Sequence, residues 1–104
     1  VRDKVSEKKS DLERLVELLT QEQRWLGRRF GHEGQAKVAE EEINFAEKMI
    51  IEAIKEGNAE ERKYWERRQK QAMARKEYHI KQAEEAKKKL AEIRFEIKQI
   101  LRRR

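Results

Sequence analysis

Neither cysteine nor proline occurs in this chain of 104 residues. Without cysteine there is no disulfide framework, no thiol nucleophile and no Cys-based zinc or iron–sulfur site. Without proline the strongest interrupter of a helix is missing. Glycine is scarce, at four residues, and the two histidines cannot build a His-rich metal centre. No apolar run approaches the ~18 residues that a membrane span needs, so no membrane partner is expected. The N-terminus, Val1-Arg2-Asp3-Lys4, lacks the apolar core of a secretory signal. It also lacks an initiator Met, as a processed or trimmed chain would.

Charged residues make up 46% of the sequence and apolar residues 37%. High charge with modest apolar content can mean disorder, but here the apolar residues are spaced in stripes. The commonest residue types (Ala, Leu, Glu, Lys, Arg, Gln) are those that lose least on entering a helix. No segment alternates apolar and polar residues between turn signals, as strands do. The expected class is all-α, a single helical domain over 1–104.

Glycines then punctuate the chain. Gly31-His32-Glu33-Gly34 reads as one break and Gly57-Asn58 as a second. Gly57 suits a left-handed C-cap and Asn58 an N-cap, with Asn58-Ala59-Glu60-Glu61 forming a capping box. Ser10, with Glu13 three residues on, is a similar start signal upstream, and Ser6 competes with it. The spacing predicts a three-helix bundle with helices at about 6–30, 35–56 and 59–103.

The first helix carries Leu12, Leu15, Val16, Leu19, Leu26 and Phe30 on one face, widened by Leu18 and Trp25. Gly27 inside it costs about 1 kcal/mol relative to Ala, which implies close approach of a neighbour or early fraying. The second helix has a seam at Ala39, Ile43, Ala46, Ile50 and Ala53, stepping by four and three. The third has a heptad seam running through Trp65, Gln69, Ala72, Lys76, His79, Ala83 and Ala86 to Leu90, Ile93, Ile97 and Ile100, with Phe95 and Leu101 beside its end. That is the pattern of coiled-coil packing.

In a three-helix layout the third helix is too long for its neighbours. Short connections make consecutive helices antiparallel, so 59–80 lies along the second helix and 81–104 projects, or packs on a partner. Its apolar residues would each forgo about 1.5–3 kcal/mol if left in water. The expectation is a homo-oligomer, with a dimer favoured, self-associating through Leu90, Ile93, Ile97, Ile100 and Leu101. The alternative is a break near 81–89 that folds the tail back as a fourth helix, although that stretch has no turn chemistry.

Charge is unevenly distributed. Residues 1–61 hold 11 basic and 15 acidic side chains, a balance of −4, and residues 62–104 hold 16 and 6, a balance of +10. The acidic face of the second helix (Glu40, Glu41, Glu42, Glu47, Glu52) can oppose the basic third helix. The +10 segment, with Tyr64 and Trp65, raises as an alternative function a natural basic helical protein that binds nucleic acid, by phosphate neutralisation, or an acidic protein partner. Its cations Arg62, Arg67, Arg68, Lys70, Arg75 and Lys81 circle the helix, and no recognised nucleic-acid motif accompanies them.

No catalytic or cofactor site is expected. His79 falls on the seam with Lys76 three residues before it, so the Glu-x-x-His spacing of di-iron bundles is absent. His32 sits in the expected loop beside Glu33. For both, a hydrogen-bonded histidine is the simpler reading than a metal ligand. Consecutive Glu40, Glu41 and Glu42 point about 100° apart on a helix and cannot converge. Trp25 and Trp65 read as core or rim anchors rather than the walls of a ligand pocket. Gly31-His32-Glu33-Gly34 is too short for a phosphate loop and has no Lys-[Ser/Thr]. The expectation is therefore a non-enzymatic structural protein with no metal, no cofactor and no small-molecule substrate.

The chain resembles a computationally designed helical bundle. The resemblance rests on the joint Glu56-Gly57-Asn58-Ala59-Glu60-Glu61, on the absence of Pro and Cys, and on helix surfaces saturated with Lys, Glu and Arg. Gly27 and the scattered Gln, Met and His depart from idealised design, and would suit one assembled from pieces of natural helical proteins. Such an origin implies no evolved substrate. A thermophile protein is similarly enriched in Lys and Glu.

Overall fold

The computed structural model describes the backbone of residues 2–103 and the side chains of residues 10–103. The chain forms two helices, α1 (Arg2–Glu56) and α2 (Ala59–Arg102), and no strand occurs among the described residues. The all-α expectation holds, but the three-helix bundle does not. α1 runs without interruption through 31–34, where the first break was expected. Ser6 and Ser10, the expected start signals, both fall inside α1; the side chain of Ser6 lies outside the described residues.

The two glycine sites differ in their chemistry. At Gly57 the backbone turns to φ +70°. Its N–H donates to the Ile54 carbonyl at 3.2 Å, and the Asn58 N–H donates to that of Ala53 at 2.9 Å. This Schellman arrangement satisfies the last carbonyls of α1. Asn58 then caps α2: its Oδ1 accepts from the Glu61 N–H at 3.1 Å, and its Nδ2 donates to the Glu61 carboxylate at 3.3 Å. Gly31-His32-Glu33-Gly34-Gln35 contains no Ser, Thr, Asp or Asn to open a new helix. No glycine other than Gly57 adopts positive φ among the described residues. Ending a helix there would orphan backbone groups with nothing to satisfy them. Keeping it whole costs about 1 kcal/mol per glycine.

A second correction concerns the rotation of α1. The seam at Ala39, Ala46 and Ala53 is buried as expected. Traced back in steps of three and four, it passes through Ala36, His32, Arg29, Trp25, Glu22, Leu18, Leu15 and Asp11, all buried or partly buried. A continuous helix has one phase, and that phase places Leu15, Leu18 and Trp25 inward. Leu12, Val16 and Leu19, a neighbouring apolar stripe of the same helix, are 52%, 64% and 51% exposed. The seam expected on α2 is buried or partly buried at every position from Trp65 to Ile100.

The chain divides into two compact units, one of residues up to Arg29 with Glu84 onward, the other of Phe30–Ala83. In the first unit the helices are antiparallel, because α2 partners descend as α1 ascends. Arg103 reaches Asp11 at 3.7 Å, Glu96 meets Arg14, and Arg94 meets Glu22 at 3.0 Å. Arg14 holds Glu96 through two parallel bonds of 3.0 and 2.9 Å. Its pKa is raised by hydrogen bonds to Glu17 and Glu96. The core is Leu18, Ile93 and Ile100, with Leu15, Trp25 and Ile97 packed against it; Leu90 and Ala86 are also buried. The apolar end of α2 is therefore covered by residues of the same chain. Once 31–34 is helical, the length mismatch that called for an outside partner disappears. No break occurs near 81–89 either.

The second unit is a helical hairpin closed by Gly57-Asn58. Its fully buried apolar residues are all alanines: Ala39, Ala46, Ala53, Ala72 and Ala83. Small side chains at the seam let helix axes approach closely but contribute little apolar area. Polar links across the helices supplement them. Arg75 pairs with Glu42, Lys76 lies 3.6 Å from Glu40, and Gln69 Nε2 donates to the Ile43 carbonyl at 3.4 Å. Glu40 and Glu42 thus oppose the basic helix as expected. Glu41, Glu47 and Glu52 form no ion pair among the described residues.

Candidate functional site

Three places on this fold carry features that the packing of two helices does not require. The first is the outer stripe of α1 in the first unit. Leu12, Val16, Leu19 and Leu26 follow the four–three spacing of a seam, with Gln23 in the remaining position. Leu26 is partly buried and the others are exposed. The helix is thus apolar on two adjoining faces, of which one meets α2. The expected self-association residues Leu90, Ile93 and Ile100 are buried in the intramolecular core, Ile97 is partly buried, and Leu101 is 55% exposed.

The second place is a histidine layer in the second unit. His32 is helical rather than in a loop, and it occupies the seam opposite His79. Their Nδ1 atoms are 2.8 Å apart and their ring centroids 5.1 Å apart. The centroid separation is the N···N distance plus one ring radius at each end, so the nitrogens meet head-on. Tyr78 stands edge-on to both rings, at 6.2 Å from His32 and 5.1 Å from His79. No cluster of three or more His, Cys, Asp or Glu able to hold a metal occurs among the described residues. His79 was placed on the seam by its spacing. The break expected at 31–34 puts His32 in a loop, although four–three steps back from Ala39 reach it.

The third place is the first part of α2. A groove of about 290 Å³ is lined by Val38, Phe45, Trp65 and Arg68 with Glu41 and Glu42. Phe45 and Tyr64 both meet Trp65 in T-shaped contacts, at 5.4 and 5.1 Å. The Trp65 Nε1–H is buried without a hydrogen-bond acceptor; a neighbouring ring face is a weak alternative. Trp65 is partly buried and lines this groove, where the sequence expectation is a core or rim anchor. Of the six cations named from the sequence, Arg62 pairs with Glu66 at 2.9 Å, Arg75 pairs with Glu42, and Arg68 stacks over Tyr64 at 5.8 Å. Arg67 and Lys70 line a shallow groove of about 230 Å³ with Lys63 and Glu66. Lys63 was not singled out in the sequence, although residues 63, 67 and 70 share a helix face. Lys81 is exposed.

No helix among the described residues is long and apolar enough to cross a membrane. Comparison with known protein families, curated proteins and solved structures finds no match.

Proposed function

We propose that this chain is a non-enzymatic structural module whose function is helix pairing, and that it self-associates through the outer stripe of α1. The observation that supports this is the exposure of Leu12, Val16 and Leu19 at seam spacing on a helix whose other apolar face is already covered. An apolar stripe of this kind is self-complementary, which is what a two-fold dimer needs. Two copies of the first unit joined in this way form a four-helix bundle, which covers the outer stripe of α1. The surface differs from the C-terminal seam expected from the sequence, whose residues α1 already covers. Leu101 remains available at its edge. The test is solution mass by light scattering at micromolar concentration: the expected result is a dimer, and a clean monomer rejects the proposal. The capped joint and charge-saturated helix surfaces support the further reading that the chain is of designed origin.

A second reading, an anionic partner such as nucleic acid, is favoured by one observation. Lys63, Arg67 and Lys70 lie along one groove, and none is in an ion pair among the described residues. Binding through three phosphates would give a log–log salt slope of about −2 to −3. No binding to DNA at low salt eliminates it.

A further inference from the structure

We infer that the His32–His79 layer is a proton-sensitive clasp, which holds the hairpin of the second unit when its facing nitrogens share one proton and releases it when both are protonated. The geometry sets the stoichiometry. Two imidazole nitrogens meeting head-on at 2.8 Å form one N–H···N hydrogen bond. One Nδ1 carries the proton and the other presents its lone pair, so the two neutral rings must be opposite tautomers. If one ring gains a proton at Nε2, the bond persists as a charge-assisted one. If both rings become imidazolium, each Nδ1 bears a hydrogen and both rings bear positive charge. The contact cannot survive at this distance.

The surroundings make the layer readable. On α1 the charged groups within one turn of His32 are Arg28, Arg29 and Glu33. On α2 those around His79 are Arg75, Lys76, Glu77 and Lys81, with the phenol of Tyr78. Arg75 and Lys76 are engaged by Glu42 and Glu40. Side chains of these types ordinarily titrate outside the interval between pH 5.5 and 8, whereas histidine titrates within it. Alanines flank the layer at Ala36 and Ala83 on the seam, so no large apolar side chain at those two positions compensates when the rings part. At acid pH the unfolded chain binds two protons at these rings, while the intact contact admits one. Stability therefore rises with pH across that interval and falls as pH drops through it. One proton of difference changes the folding constant by up to about tenfold per pH unit.

Two measurements test the clasp. Imidazole nitrogen NMR at pH 8 should find one ring with its proton on Nδ1 and the other with its proton on Nε2. Two Nε2–H tautomers would overturn it, because two bare lone pairs do not bond. Denaturant unfolding of the full chain between pH 7.5 and 5.5, at one protein concentration so that self-association enters equally, should show a steeper pH dependence for the wild type than for His32→Leu/His79→Leu. The variant His79→Gln, whose amide can donate to or accept from His32 in either protonation state, should flatten the dependence as well. It provides the comparison if the double variant does not fold. Equal slopes for the wild type and a folded variant would overturn the clasp.

Discussion

At the residue scale, glycine has two opposite roles in this chain. Gly57 adopts φ +70° and ends a helix. Gly27, Gly31 and Gly34 sit inside one, and a methyl group at any of them would meet nothing within 4 Å beyond the neighbouring backbone of its own helix. Neither close approach within the chain nor fraying accounts for Gly27. Substitution should separate the two classes in thermal or denaturant unfolding. Gly31→Ala and Gly34→Ala should each stabilise by about 0.8–1 kcal/mol, whereas Gly57→Ala should destabilise by about 1–2 kcal/mol. If Gly31→Ala destabilised instead, a turn at that position would be restored. Asn58→Ala should cost about 1 kcal/mol through loss of the cap.

At the element scale, the seams were legible wherever the step of four and three was followed rather than the local density of apolar residues. Trp65 to Ile100 on α2 and Ala39 to Ala53 on α1 were read correctly because their spacing leaves one choice of face. The early part of α1 was not, because Leu12, Val16 and Leu19 make a stronger stripe than Asp11, Leu15, Leu18 and Glu22. Hydrophobic density alone cannot distinguish the face that meets an intramolecular partner from one that does not. Only helix continuity, which the glycines obscured, fixes the phase. The joint at Gly57-Asn58 was legible because it has both a left-handed residue and a cap. The histidine layer was half legible, since only one of its members lay on an expected helix.

Two substitutions test the packing at this scale. Ile93→Ala, in the core with Leu18 and Ile100, should lower stability by about 2–5 kcal/mol. In the hairpin of the second unit, Ala46→Leu should cost about 1–3 kcal/mol by overpacking a seam of alanines. Circular dichroism during denaturant unfolding would read both. An unchanged midpoint for Ala46→Leu would mean that the helices stand further apart than an alanine seam allows.

At the scale of the whole molecule, the division of charge into a −4 segment and a +10 segment has a partial explanation within each unit. Arg14, Arg75, Lys76, Arg94 and Arg103 of both segments are answered across the helices by carboxylates. These pairs are partly solvent-exposed, so each contributes little to stability. Their opposed arrangement still favours antiparallel over parallel pairing. The pairs do not account for the exposed outer stripe of α1. The most direct test is sedimentation equilibrium of the wild type and of Leu12→Gln/Leu19→Gln at micromolar concentration, with helicity read in parallel. The wild type should be a dimer and the variant a monomer of unchanged helicity. A monomeric wild type, or a variant that remains a dimer, would contradict self-association through this face.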